Sequence, residues 1–459
     1  MITTITRRTE TEISPHNLPT ILRKLDNEGW KPAIYESSRT LLNLAGIEAE
    51  PDVKLRQIQP APFRLGRTAE GDVFFHEHEI FYLALIGDQD SLDDELEIRY
   101  RAATPDELKF TEVGIITHNP EDGLERLKAF ISVVERAALD CIDGRKARHI
   151  NFDWQEPVLD KQLKEILRAS SEDSRVKLKT AELTNDEVAA ANVLSSHPAR
   201  ELLIEISGSG FVRSQDLLRK KTKDEDVEKN LETLRVNNLV KTEFLLECRA
   251  NSNRLTRLPS KEKLESEEIA SLICASCGRR FGDEVISEGY STSELGKKLA
   301  SKSHWMTVWL TNLLIDLGIP TQSIIWNLSE AGEEIDLAVG FLNSLWIFEL
   351  KDRDFEAGDA YPLNYRRSRY RADKSIILTT GKVSKDAKKV FDELAEEVRR
   401  NGVHRSGKPL YIEGLNQART TLEKEISNST FRYAKRRLDP IGFNSGFNLT
   451  EILRKKFHR

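Results

Sequence analysis

Cysteine is scarce in this chain, with four in 459 residues, too few for a disulfide scaffold and in keeping with a reducing compartment. Long apolar runs are also missing. The longest, around Phe341–Leu350, has half the length of a membrane span and is broken by Asn343 and Ser344. Met1–Glu12 carries Arg7, Arg8 and two glutamates but no apolar stretch, so no secretory leader is expected. Nor is there a basic excess: 69 lysines and arginines face 75 acidic residues, a net charge of −6. That excludes a globally basic nucleic-acid coat and leaves room only for local basic patches. Internal repeats and low-complexity tracts are absent. Hydrophobic residues at 39% suffice for packed cores, and the length suggests about three domains. A soluble, cytoplasmic, multidomain protein is expected, with no membrane partner.

The first segment, residues 1–184, mixes helical and strand patterns and is expected to be an α+β domain. His16–Glu28 places Leu18, Ile21, Leu22 and Leu25 on one helical face, and Glu121–Cys141 does the same with Leu124, Leu127, Phe130, Ile131, Val134 and Ala138. Val73–Ile86 and Leu96–Ala102 alternate as strands around an acidic turn at Gly87–Asp94. His76 and His78 share a strand face, but no third ligand lies nearby, so a surface strand is expected rather than a metal site. Asp153–Ala181 is charged and poor in large apolar residues, as a connector would be.

Residues 185–262 change character. Asn185 is expected to cap a helix running through Ala189 and Leu194, Ala199–Ile206 continues the helical pattern, Ser214 caps a short helix at Gln215–Lys220, and Lys223–Val236 follows. Val240–Leu246 and Arg254–Leu258 then alternate around a turn at Ala250–Asn253. Helices followed by a hairpin resemble a winged-helix module. The helix in the recognition position, Asp224–Arg235, sets Lys229 and Arg235 against five carboxylates, which would repel phosphates. Docking to a protein partner or to a second copy is the expected use. Residues 263–290 read as a linker holding Cys274-x-x-Cys277-Gly278, half of a zinc ribbon without its second pair. A metal-free knuckle is the first reading, with Zn²⁺ completed by distant ligands, or a redox dithiol, behind it.

The chemistry concentrates in residues 291–459. A helix from Thr292, an apolar helix at Trp305–Leu317 and a strand at Ser323–Leu328 lead to two further strands, Glu334–Gly340 and Leu345–Lys351. The second is apolar on both faces, as a central strand would be, yet ends in Glu349-Leu350-Lys351. Alternation places Glu349 and Lys351 on one face, and Glu334 and Asp336 likewise share a face. If the strands form an antiparallel hairpin, Asp336 lies beside Glu349. Two partly buried carboxylates repel without a cation, and such hard oxygens suit Mg²⁺ or Mn²⁺.

Gly332-Glu333-Glu334-Ile335-Asp336, then twelve residues, then Glu349-Leu350-Lys351 resembles the PD-(D/E)xK, or restriction-endonuclease-like, nuclease superfamily. The order of elements agrees: a helical stretch at Asp359–Ala372, a strand at Ser375–Thr379, a helix at Lys385–Arg399 and a strand at Pro409–Glu413. The resemblance covers about Thr292–Asn428, with no proline before Asp336. It implies that Asp336, Glu349 and the Leu350 backbone carbonyl hold Mg²⁺ or Mn²⁺, while Lys351 orients the attacking water and offsets charge on the phosphate. Many members add a helical glutamate, for which Glu294 is the candidate and Asp316 lies nearer the strand; Glu334 would be a supporting acid. A non-catalytic nucleic-acid- or protein-binding module is the alternative.

Tyr365–Arg371 contributes Arg366, Arg367, Arg369 and Arg371 with Tyr365 and Tyr370, a set suited to gripping phosphates and stacking on bases. From Thr430 onward eight cations face two carboxylates, which reads as a basic tail that either helps bind the nucleic-acid backbone or solubilises a terminal helix. The expected architecture is α/β: a C-terminal restriction-endonuclease-like mixed sheet flanked by helices, a winged-helix-like module and an N-terminal α+β domain. The expected activity is Mg²⁺-dependent hydrolysis of phosphodiester bonds, of DNA more than RNA, in a bacterial defence or genome-processing effector.

Overall fold

The computed structural model describes residues 2–10, 13–14, 16–44, 69–87, 108–141, 151–156, 161–173, 176–220, 227–330, 333–342, 344–400, 408–443 and 448–457. The strand expected at Leu96–Ala102, the turn after Gly87, Gly332, Asn343 and the acidic run Asp224–Asp226 lie outside the described residues. The protein is mixed α/β, in two units: Met1–Leu159 with Leu422–Arg459, and Asp160–Thr421.

The first unit opens with β1 (Thr3–Thr9), α1 (Leu18–Asn27) and α2 (Ala33–Leu44), followed by β2 (Ala69–His76), β3 (Glu79–Gly87), β4 (Leu108–Thr117) and α3 (Pro120–Leu139). The strands form an antiparallel sheet in the order β1-β4-β3-β2. Both faces are covered, and β3 shows why the strand had to be apolar throughout. Phe81, Leu83 and Leu85 pack with Ile21, Leu25, Leu127 and Phe130, whereas Ile80, Tyr82, Ala84 and Ile86 pack with Ala434, Leu438, Leu453 and Phe457. The stretch from Thr430 is therefore no solvated tail. Its cations are spaced so that an apolar stripe is left to bury against the first sheet, and Arg437 is itself buried. His76 and His78 sit at the β2–β3 hairpin tip, where Glu77 takes a left-handed φ of 42°.

The second unit begins with α4 (Lys161–Glu172) and β5 (Lys177–Thr180), so the expected connector supplies an edge strand instead. Next come α5 (Asn185–Leu194), α6 (His197–Ser209), β6 (Val212–Arg213), α7 (Ser214–Lys220), α8 (Val227–Val236), β7 (Val240–Glu247) and β8 (Arg254–Leu258). Thr184, not Asn185, caps α5, in a capping box with Glu187. Two single turns, Glu262–Glu265 and Glu267–Ala270, lead to β9 (Val285–Thr292), which pairs with β7 along its whole length. The expected linker thus ends in a strand of the sheet β6-β9-β7-β8. A long-range partner, not local pattern, makes it a strand.

After α9 (Glu294–Ala300) and α10 (His304–Asp316) the chain builds β10 (Ile324–Glu330), β11 (Glu333–Gly340), β12 (Leu345–Lys351), α11 (Ala357–Arg369), β13 (Lys374–Thr379), α12 (Lys385–Arg400) and β14 (Leu410–Glu413). The sheet order is β14-β13-β12-β11-β10-β5, with β12-β13-β14 parallel and the rest antiparallel. β12 lies inside this sheet, and its residues through Leu350 are buried. α13 (Ala418–Phe443) carries the chain back to the first unit, which ends with α14 (Leu449–Phe457). Among the described residues no helix is long and apolar enough to cross a membrane.

Candidate active site

β11 and β12 pair antiparallel, with Leu337 opposite Phe348 and Gly340 opposite Leu345. One step further along that register, Asp336 stands beside Glu349. The Leu350 backbone N–H donates to Asp336 Oδ2 at 2.7 Å, which ties the carboxylate to the end of the central strand. Glu349 is 5% exposed, and both of its oxygens are engaged. Lys351 Nζ lies 2.9 Å from Oε1, and Arg366 Nη1, reaching in from α11, donates to Oε2 at 2.8 Å. Lys351 also lies 3.7 Å from Asp359 Oδ1, in the first turn of α11. Arg353 grips Asp359 through two bonds of 2.9 Å each.

The alternation of β12 divides its end into two faces. Glu349 and Lys351 point to the carboxylate side, while Leu350 is buried on the other side. Asp352 continues that second face and is held firmly there. It accepts from Thr380 Oγ1 at 2.9 Å and Trp305 Nε1 at 3.2 Å, and pairs with buried Arg200 at 3.2 Å. Arg200 lies over the Trp305 ring, 4.9 Å from its centroid. This network fixes the backbone leaving β12, and with it the position of Lys351.

The charges act on one another. Burial and then the neighbouring Glu349 push the Asp336 carboxyl up to about 7. For Lys351, burial works against the charged form, but Glu349, Asp336 and Asp359 outweigh it and hold the ammonium above its usual range. Burial would raise Asp359, but Arg353 and the Glu356 N–H keep it below the usual carboxylate range. At neutral pH Lys351 is therefore a fixed positive charge, and Asp336 is the group most responsive to an added cation.

The remaining expected residues divide. Glu334 lies on the rim, 2.9 Å from Lys302 Nζ. Lys302 and Ser303, between α9 and α10, both adopt left-handed φ values of 50° and 56°, conformations that cost L-residues energy and often accompany sites. Glu294 is 90% exposed and pairs with Lys297, and Asp316 pairs with Arg419. Neither is tied to the Asp336–Glu349 pair, and Asp359 is the third carboxylate that Lys351 meets. In the sequence Asp359 marks only the start of a helical stretch; its place in a capping box with Glu356 is the available signal.

The arginine group also separates. Arg366 turns inward to Glu349 rather than outward to solvent. Burial lowers the partly buried Arg367 guanidinium, which stands beside Asp373. Arg369 and Arg371 are exposed, and Arg371 lies past the helix end in a left-handed turn. Tyr361 and Tyr365, 60% and 52% exposed, stand one turn apart on α11 with Arg369 a turn beyond. Tyr361 and Lys302 were missed, because only the fold decides which positions of α11 and of the α9–α10 bend stay uncovered.

No family model matches the chain, and no curated protein matches it. Among solved structures, protein VC1899 from Vibrio cholerae is similar, with a TM-score of 0.30 and 13% identity over 60% of this chain. The match spans 58% of the length of that protein.

Proposed function

We propose that the chain is a divalent-metal-dependent nuclease of the PD-(D/E)xK type, with the restriction-endonuclease-like fold in its six-stranded sheet and flanking helices. The observation that carries this reading is the meeting of Asp336 and Glu349 across β11 and β12, with Lys351 2.9 Å from Glu349 on the same face. The donors fit the group such a fold implies: hard carboxylate oxygens, a carboxyl driven toward protonation by burial and then by its neighbour, and no soft ligand among them. Asp336, Glu349 and the Leu350 carbonyl would hold Mg²⁺ or Mn²⁺. When bound, the ion would lower the pKa of a water and draw charge from the phosphate.

The protein's own groups account for the rest. Lys351 stays protonated, so it offsets charge on the phosphate and orients the attacking oxygen by donating hydrogen bonds; it does not remove a proton. Arg366 neutralises Glu349 in the resting protein and stands within reach of a phosphate once that carboxylate is satisfied otherwise. The Asp352–Arg200–Trp305 network keeps the strand end rigid. Tyr361, Tyr365 and Arg369 give α11 an outer edge suited to stacking and phosphate contact. Residues 185–292 are read as a winged-helix-like docking module, and the whole chain as a bacterial defence or genome-processing effector acting on DNA.

The test is incubation of the protein with plasmid, linear DNA and RNA, with Mg²⁺, Mn²⁺ or chelator. Cleavage that requires the ion and disappears in Asp336→Ala and Lys351→Ala is the expected result. The salt links of Glu349 to Lys351 and Arg366 favour a second reading, a self-neutralised fold that binds without cutting. Binding without cleavage in every metal, unchanged by both substitutions, would establish it.

A further inference from the structure

The Cys-x-x-Cys pair, incomplete in the sequence, does not stand alone in the fold. Cys248 follows the end of β7, and Glu284 directly precedes β9, the strand paired with β7. This pairing brings both to Cys274 and Cys277, so that one donor atom from each of the four residues lies within 4.8 Å of the others. A tetrahedral zinc with bonds of about 2.3 Å to sulfur separates its ligands by about 3.8 Å. Small side-chain adjustments convert one arrangement into the other. Cys248, Cys274 and Glu284 are buried, at 1%, 1% and 4% exposure.

Backbone N–H groups face two of the thiols. The N–H groups of Ala250 and Asn251 point at the Cys248 sulfur, and that of Arg279 at Cys277. The Cys274 loop closes through Gly278 N–H to Cys274 O at 2.8 Å and Cys274 N–H to Arg279 O at 2.8 Å. Gly278 takes a left-handed φ of 75° there, at no steric cost. Glu284 is oriented from behind, since the Arg249 N–H donates to its Oε2 at 2.6 Å while Cys277 Sγ lies 2.8 Å from Oε1.

Hydrophobic burial does not explain what holds this lobe. Leu246, Leu258 and Leu264 are its buried core, with Phe244, Leu255, Ile269 and Phe281 partly covered. The apolar residues of the knuckle itself, Leu272 and Ile273, are 50% and 66% exposed. A segment with two single helical turns and so small a core needs a cross-link of another kind. We propose that Cys248, Cys274, Cys277 and Glu284 form a closed structural zinc site that fastens residues 259–284 to the β7–β9 ladder. Three soft thiolates with one carboxylate and no open position suit Zn²⁺ over Mg²⁺ or Ca²⁺.

Metal analysis of the purified full-length chain tests this, and its outcome is independent of nuclease activity. One zinc per chain is expected in the wild type and in Asp336→Ala, none in the Cys274→Ser/Cys277→Ser double variant, and one in Glu284→Cys, which replaces the carboxylate by a fourth thiolate. Should the double variant fail to fold, the wild type still decides: stripped of metal and reduced, it is titrated with Co²⁺. A thiolate-to-cobalt charge-transfer band saturating at one equivalent supports the site. Zinc-free protein that develops no such band, or a Cys274–Cys277 disulfide in protein purified under reducing conditions, overturns it.

Discussion

Arg366 and Glu349 are 17 residues apart in sequence and 2.8 Å apart in space, so that a buried carboxylate at the end of the central strand is held by a cation from the following helix. A divalent ion at the same carboxylate would compete with that guanidinium. The Arg366→Ala protein should therefore lose stability in chelator, by about 2 kcal/mol, because Glu349 keeps only Lys351. Adding Mg²⁺ should restore most of the loss. Thermal denaturation with and without Mg²⁺ measures both, and a deficit that Mg²⁺ leaves unchanged contradicts the competition.

Asp336 gives a pH prediction with a definite sign. Its folded-state carboxyl is raised to about 7, against an ordinary 3.8, so the folded protein holds a proton that the unfolded chain has released. Stability from this group is complete below about pH 4 and is lost as pH rises through about 7. In chelator, Asp336→Asn should remove that part of the decline and leave the protein about 2 kcal/mol more stable than wild type at pH 8. Saturating Mg²⁺ should narrow the difference. Melting curves from pH 5 to 8 check this, and identical slopes in the two proteins refute it.

The exposed edge of α11 separates stacking from charge. Tyr361→Ala with Tyr365→Ala should weaken binding of single-stranded DNA roughly tenfold with an unchanged salt dependence. Arg369→Ala should instead reduce the slope of log K against log salt by about one. Fluorescence anisotropy over a salt series distinguishes them. If the tyrosine variant binds as well as wild type, that edge does not touch nucleic acid.

Glu112 in the first unit is fully buried and pairs with Arg8 at 3.1 Å and Arg437 at 3.4 Å, and Tyr82 donates to it at 3.0 Å. Glu112→Ala leaves the buried Arg437 without its carboxylate, and should destabilise this unit by about 3–5 kcal/mol. Limited proteolysis should then release the C-terminal helices first. Because Arg437 and Tyr433 lie on α13, the same variant tests whether residues 430–457 are part of the core.

How much the sequence revealed depended on the range of the interactions involved. Element boundaries from Glu294 to Glu413 fall within a few residues of expectation, since strong periodicity and end signals such as Gly318-Ile319-Pro320 act locally. Asp336 and Glu349 could be paired in advance because one tight turn joins their strands. Elements that depend on distant partners were misread: β5 as connector, β9 as linker and α13–α14 as tail. β5 and β9 carry no strong local pattern, and the apolar stripe of α13–α14 has a use only where another part of the chain offers it apolar surface.

The sequence by itself determined the apolar character of β12, the alternation that sets Glu349 and Lys351 on one face, and the class of carboxylate chemistry that follows. The tertiary structure alone decided that Arg366 faces inward, that Asp359 and not Glu294 meets Lys351, and that Cys248 and Glu284 complete the Cys274–Cys277 pair. The division has a physical reason. Alternation along a strand is fixed by backbone geometry within a few residues, whereas contact between groups far apart in the chain exists only after the sheets have formed and brought them together.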